Sequence, residues 1–276
     1  MALIANTESG SGEAGEVAER LRAHGAAVKS FGVDEAAAAA RSGTDRIVVS
    51  GGDGSIGGAA AAAAVADRPL AVIPTGTAND FARALDLPGD LEEACRLAME
   101  GTETVRLDLG RFDGRPFVNV VSAGLSPAAA SEAEGLKGAL GPLAYTLGAL
   151  RAGLTAQPLQ CEVRGDGEEL FSGRAWQVSI GCTGAFGGGS SLDTDAQNGR
   201  LDVVVVPSGS RLALVRRAFG MRRGTLRRQE PVGDHLAREV TLDVPPKTRF
   251  NVDGEVECSG SVELTVEPAA FDLIVG

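Results

Sequence analysis

The 276-residue chain carries 26 Lys and Arg against 37 Asp and Glu, a formal charge of −11, with 43% hydrophobic residues. That length supplies interior for one large or two ordinary globular domains without disulfide or metal staples, and the acidic balance argues against a nucleic-acid partner, which needs surplus Lys and Arg to displace counterions. The longest low-polarity run, Ile56 to Ala66, falls far short of the roughly 20 residues of a membrane span, and Met1 to Asn6 lacks the basic start and apolar centre of a secretory leader, so a cytoplasmic chain is expected.

In chain order, a strand at Ala2–Ala5 is followed by a helix from about Gly12 to His24, a short strand near Ala27–Phe31 and a helix over Asp34–Arg41. Then come a strand at Arg46–Ser50, an Ala-rich helix over Ser55–Ala66, a strand at Leu70–Ile73 and a helix beginning near Thr77. Such alternation predicts a parallel sheet with helices on both faces. Beyond about Gly101 the runs have β character: Val105–Arg111, Phe117–Val121, Gln160–Arg164, Trp176–Ile180, Leu201–Val206, Glu239–Val244, Phe250–Val252 and Val262–Glu267. Asp-Gly and Pro-Ser-Gly turns between them suit an antiparallel sandwich, interrupted by helical insertions at Gly138–Leu154 and within Arg211–Arg228. The expected fold is therefore α/β plus β, with a parallel-sheet N-terminal domain over 1–104 and an antiparallel β-sandwich-like domain over 105–276.

Cys95, Cys161, Cys182 and Cys258 are too irregularly spaced for a zinc or CxxC motif and read as buried reduced thiols. Two histidines allow no HExxH site, and none of the three lysines lies in a GxxxxGK[ST] loop or a VAIK-type strand, which excludes close kinship with P-loop NTPases and protein kinases.

Two strand-to-helix turns stand out. Ser50-Gly-Gly-Asp-Gly-Ser55 puts glycines where a helix N-terminus could cradle a phosphate, though a plain tight turn reads equally well. Pro74-Thr-Gly-Thr-Ala-Asn-Asp80, on the next parallel strand, offers Thr77, Asn79 and Asp80 as helix caps or ligand contacts. Both turns fall at one edge of the sheet, where open α/β sheets bind ligands. In Asn251-Val-Asp-Gly-Glu255, the Asp-Gly pair is a strong hairpin signal by itself.

Together, GGDGS and PTGTANDFARAL resemble the bacterial diacylglycerol kinases and sphingosine-kinase-type lipid kinases, of one superfamily with NAD kinases. Further matches run along nearly the whole chain, at Asn6–Gly10, Val105–Gly110, Gly141–Tyr145, Phe186–Gly189, Asn198–Asp202 and Asn251–Glu255. The resemblance implies an ATP-dependent lipid kinase: the first domain binds ATP, the second supplies the lipid site and the catalytic base. By position it implies nucleotide contacts at Asn6, Gly10, Gly51, Gly52, Asp53, Gly54, Ser55, Thr77 and Asn79, with Asp53 acting through Mg2+. It also implies a base at Asp253 with Glu255 beside it. The segment Ser190–Asp202 resembles a loop holding structural magnesium, here with Asp195, Asn198 and Arg200 as its ligands; Asn198 stands where the family has Asp, so Asp195 or Asp193 would have to restore the charge.

Other departures are Gly57-Gly58, where the family commonly has Asn-Glu, and Cys182, where an Asn often precedes the FGGG stretch. They leave open a catalytically weakened nucleotide- or lipid-binding homologue, or a kinase of a soluble polyol or NAD. Phe117, Leu125, Leu140, Leu143 and Leu147 could line a lipid pocket or belong to ordinary core. The partners expected are ATP and a lipid at a membrane surface, with a homodimer left open. Seven arginines between Arg211 and Arg228, without an acidic residue, suit docking on an anionic membrane face.

Overall fold

The computed structural model describes residues 1–5, 13–125, 157–183, 185–186, 190–191, 195–210 and 233–276. Its first part runs β1 (Ala2–Ala5), α1 (Glu13–Ala23), β2 (Lys29–Phe31), α2 (Ala36–Ala40), β3 (Ile47–Gly51), α3 (Asp53–Ala66), β4 (Leu70–Pro74), α4 (Asp80–Ala84) and α5 (Leu91–Glu100). The strands are parallel in the order β2-β1-β3-β4, in a register that aligns Ile4, Val49 and Val72 across the sheet. Alternation then sends those three residues to one face, against Ile56, Ala59 and Ala63 of α3. Leu3, Val48 and Ala71 go to the other face, against Val17 and Leu21 of α1 and Ala94 and Ala98 of α5. The alanine bias of α3 has a packing reason: the helix buries Ile56, Gly57, Ala59, Ala60, Ala62 and Ala63, most of its circumference, and short side chains let several neighbours approach it.

The second part is built from β5 (Thr104–Phe112), β6 (Arg115–Phe117), β7 (Val120–Gly124), β8 (Leu159–Gly165), β9 (Glu168–Gly181), β10 (Ala185–Phe186), β11 (Ser190–Ser191), β12 (Leu201–Pro207), β13 (Gly233–Ala237), β14 (Glu239–Asp243), β15 (Thr248–Val252), β16 (Glu255–Ser259) and β17 (Val262–Ile274). Apart from the single contact of β17 with β4, its strand pairs are antiparallel, as expected. Their inner residues, among them Val121, Val178, Val203, Phe250 and Leu264, form a second core in which the Phe112 and Phe250 rings meet edge-on at 5.3 Å. Phe117 lies in this core.

Three two-residue Asp-Gly loops close hairpins, at Asp113-Gly114, Asp166-Gly167 and Asp253-Gly254, with φ positive at both residues of each. That is the turn whose twist matches paired strands, and Asp and Gly tolerate its left-handed backbone best.

The last strand joins the two parts. β17 pairs antiparallel with β5 along most of its length and with β14 over Val262–Thr265, and at Leu273 it meets Leu70 of β4 in parallel. Leu107, Leu109, Phe271 and Leu273 thereby enter the first core. Three of the four cysteines are buried as expected, whereas Cys258 is exposed because, among the described residues, β16 pairs with β15 alone, at the end of the sheet. Among the described residues, no helix is long and apolar enough to cross a membrane. The helical insertions expected at 138–154 and within 211–228, and the pocket candidates Leu140, Leu143 and Leu147, lie outside the described residues.

Candidate active site

The two glycine-containing turns touch. The Thr75 N–H donates to the Gly51 carbonyl at 3.1 Å, and a Cβ on Gly76 would stand 2.4 Å from the Gly52 Cα. Any side chain at Gly76 would force the turns apart. Asp53, the first residue of α3, extends from one turn to the other: its Oδ2 accepts the Asp80 N–H at 3.1 Å and its Oδ1 the Phe81 N–H at 2.8 Å. It thus caps α4 from outside that helix, satisfying donors that a helix start leaves free. Asn79 occupies the capping position itself, at φ 49°, with its Nδ2 donating to the Gly76 carbonyl at 2.8 Å and its own side chain making no cap. The Asn79 Oδ1 is buried without a hydrogen-bond partner among the described residues. Thr77, in the second turn, is exposed, and Asp80 is buried and paired with Arg83.

Asp253 approaches from the β-rich part. Its carboxylate bridges a break between β6 and β7: Oδ2 accepts the Val118 N–H at 2.7 Å, and Oδ1 accepts those of Asn119 at 2.9 Å and Val120 at 3.1 Å. Burial pushes its pKa up to about 7, against the opposing pull of those three N–H groups, and the neighbouring Asp53 charge adds to the rise. Asn119 connects the two carboxylates, because its Nδ2 donates to the Asp53 Oδ1 at 3.0 Å. Its Oδ1 in turn accepts from the Thr183 hydroxyl at 2.7 Å. Glu255 lies over the start of α3, where a Cβ on Gly54 would fall 2.6 Å from its Oε1. Arg115 holds it there at 2.5 Å and also binds Glu257 at 3.1 Å. Gly57 is similarly constrained, since a Cβ would sit 2.7 Å from the Pro116 carbonyl oxygen, whereas Gly58 faces open space.

The loop expected to bind a structural metal is closed by its own hydrogen bonds. The Asp195 Oδ1 accepts the Gln197 N–H, the Asn198 Oδ1 accepts the Arg200 N–H, and the Asp195 carbonyl accepts the Asn198 N–H. Arg200 directs its guanidinium toward Asp166 at 3.6 Å. Buried Asp108 ties the loop down, its Oδ2 accepting the Gly199 N–H and its Oδ1 that of Ala269, both at 2.7 Å. No group of three or more His, Cys, Asp or Glu able to hold a metal occurs among the described residues. Asp193 lies outside the described residues, and the side chains of Asp195, Asn198 and Arg200 are engaged as above.

The expected contacts Gly51, Gly52, Asp53, Gly54, Ser55, Thr77, Asn79, Asp253 and Glu255 therefore lie in or against one pair of touching turns, whereas Asp195, Asn198 and Arg200 belong to the loop on Asp108. Asn6 and Gly10 lie outside the described residues. The sequence reading missed Asn119, Thr183 and Asp108. A buried Asn within an otherwise apolar strand run was the available signal for Asn119, since a polar group is kept there only with partners.

Two family models match the chain: the diacylglycerol kinase catalytic domain over residues 1–112, and the YegS C-terminal NAD kinase beta sandwich-like domain over 119–275. A diacylglycerol kinase of Bacillus subtilis is 32% identical over 217 residues, covering 76% of this chain and 71% of its own. A Serratia proteamaculans protein named "Probable lipid kinase YegS-like" is 33% identical over 245 residues, covering 85% of this chain and 77% of its own. A diacylglycerol kinase crystal structure from Bacillus anthracis shares the fold at TM-score 0.77 and 22% identity, with 100% of this chain and 96% of that one covered. The glycine turns, the Asp-Gly-Glu hairpin facing them and these matches agree, and the chain belongs to the diacylglycerol kinase and YegS-like lipid kinase family of enzymes.

Proposed function

We propose that this kinase moves the γ-phosphoryl group of ATP to a hydroxyl of diacylglycerol or a related lipid, with Asp253 as the base. The observation that supports Asp253 most is its contrast with Asp166. Both occupy the first position of an Asp-Gly hairpin loop, and both accept backbone N–H groups from a junction between two strands. In exposed Asp166 those hydrogen bonds pull the pKa down, whereas burial raises that of Asp253 to about 7. The same turn thus serves only as a clamp in one place, and in the other carries a carboxylate able to exchange a proton near neutrality.

In the reaction, the lipid hydroxyl oxygen bonds to the γ-phosphorus, the bond to the ADP oxygen breaks, and the hydroxyl proton passes to Asp253. Among the described residues the Asp253 Oδ2 carries one hydrogen bond, from Val118, which leaves a lone pair for that proton. The phosphates would rest against the Gly51–Ser55 and Thr75–Asn79 turns, whose glycines admit close backbone approach. Magnesium accompanying ATP would be held by Asp53, whose Oδ2 likewise carries a single hydrogen bond among the described residues; when bound, it would offset the repulsion between carboxylate and phosphates. The lipid assignment rests on the relatives' names, and the ATP assignment on the family.

ATP consumption measured with dioleoylglycerol in mixed micelles, a sphingoid base, glycerol and NAD tests the reading. Lipid-dependent ADP formation is expected. Absence of ATP or ADP binding in the presence of magnesium, or turnover with glycerol or NAD alone, overturns it.

A further inference from the structure

Asn119 is 2% exposed and uses its polar groups in four directions. Its N–H donates to the Asp253 Oδ1, and its carbonyl accepts the Cys182 N–H at 2.8 Å. Its Nδ2 donates to the Asp53 Oδ1, and its Oδ1 accepts from Thr183. Asp53 begins α3 beside the glycine turns, while Asp253, Asn119 and Thr183 come from the β-rich part, so the carboxamide carries a hydrogen bond from one part to the other. Its orientation is determined from both sides. Turned over, the Oδ1 would face the Asp53 carboxylate, acceptor against acceptor; as placed, it needs a donor, and the Thr183 hydroxyl supplies one. Thr183 is itself fixed, since its N–H donates to the Val118 carbonyl at 3.0 Å and its side chain is buried. Without the hydroxyl, Oδ1 would be a buried acceptor with nothing to accept, and the amide would have reason to leave Asp53.

We infer that Asn119 and Thr183 are a positioning pair: Thr183 orients the Asn119 carboxamide, which fixes the Asp53 turn at a set distance and angle from Asp253. Neither residue touches the reacting atoms in this scheme. The inference rests on the kinase reading with Asp253 as base. Phosphoryl transfer depends on alignment of acceptor, phosphorus and base, so loosening this link lowers turnover more than it weakens ATP binding.

The test is a double-mutant cycle read as kcat and KM for ATP with dioleoylglycerol micelles, with a thermal melt of each protein. Asn119→Ala leaves the backbone bonds to Asp253 and Cys182 in place and removes only the carboxamide. It should lower kcat roughly tenfold or more with KM for ATP within about twofold. Thr183→Val should do likewise, Thr183→Ser should retain kcat within about threefold of wild type, and the double variant should be no worse than Asn119→Ala alone, because Thr183 acts through Asn119. If Thr183→Val does not fold, Thr183→Ala against Thr183→Ser makes the same comparison. Multiplying effects, equal losses in Thr183→Ser and Thr183→Val, or a rise in KM at unchanged kcat overturn the inference.

Two controls separate its failure from failure of the kinase reading. Wild-type kcat in Asn119→Ala, beside an inactive Asp253→Ala, sinks the positioning pair and leaves the kinase standing. An inactive wild-type protein sinks the kinase reading, and the pair is then judged by hydrogen exchange: Asn119→Ala and Thr183→Val should lower protection of the 53–55 amides, while Thr183→Ser should not. Unchanged protection in Asn119→Ala overturns the pair.

Discussion

Asp253 holds its proton to about pH 7 in the folded chain but near its ordinary 3.8 when unfolded. Two pH dependences follow. As a base it must be ionised, so kcat should rise with pH through about 7 and level off above it. As a group whose pKa is raised by folding, it favours the folded state fully below about pH 4, and that contribution is lost as pH rises to 7. Melting temperatures across that window should fall in the wild type relative to Asp253→Asn. The substitution has a second effect: an amide NH2 would replace one of two oxygens that both accept backbone N–H groups, placing donor against donor at a cost of about 1–3 kcal/mol. Turnover should therefore fall roughly 10²-fold or more together with a loss of stability, and a variant of near-normal turnover would move the base to Glu255 or to water. The Asp-Gly signal made the turn legible from local sequence. The use of the carboxylate was not, because the N–H groups it accepts lie 133 to 135 residues earlier in the chain, across a break that a single Phe117–Val121 strand had concealed.

At the scale of elements, periodicity and turn chemistry carried most of the fold, and the exceptions have physical reasons. The helix expected to begin near Thr77 starts at Asp80, because Asn79 takes a left-handed backbone and Asp53 supplies the cap from 27 residues away. α5 was unpredicted, although Asp90 caps it locally through the Glu92 and Glu93 N–H groups. The strand expected over Val262–Glu267 runs on through Pro268-Ala-Ala270 as β17. That tripeptide is an irregularity, with Ala269 at φ 48° held by Asp108, and the strand resumes to Ile274. Packing also separates the two glycines that replace the family's Asn-Glu. Gly57→Asn should destabilise the protein by about 1–3 kcal/mol, since α3 lies directly on the β6 backbone and the rigid carbonyl of Pro116 cannot move aside cheaply. Gly58→Glu should be tolerated or stabilise by up to about 1 kcal/mol, because its Cβ meets open space and Glu favours helix. Denaturant midpoints measure both, and equal costs at the two positions would contradict this packing.

For the whole molecule, two cores share one sheet through β17, while the hydrogen bond from Asn119 to Asp53 links the β-rich part to the glycine turns. Charge is distributed less evenly. Arg211, Arg216, Arg217, Arg222, Arg223, Arg227 and Arg228 fall within eighteen residues that contain no acid, which leaves −18 on the rest of a chain whose total is −11. If the acceptor is a lipid, as proposed, the enzyme must reach a substrate that resides in a bilayer, and a basic segment with interleaved Leu212, Leu214, Val215, Phe219 and Met221 suits the headgroup boundary. Each arginine near an anionic surface contributes on the order of 1 kcal/mol, screened by salt, while the strongly acidic remainder is repelled and would orient the molecule. Binding to phosphatidylglycerol-containing vesicles is therefore expected at low salt, with loss at high salt, on neutral phosphatidylcholine vesicles, and when Arg216, Arg217, Arg222 and Arg223 are changed to Gln. In that quadruple variant, turnover on lipid in vesicles should fall while turnover on a short-chain diacylglycerol dissolved in buffer is retained, because the change leaves Asp253, Asn119, Asp53 and the glycine turns unaltered. Co-sedimentation that ignores lipid charge, or that survives the four substitutions, would assign the arginines to contacts within the protein or between its copies.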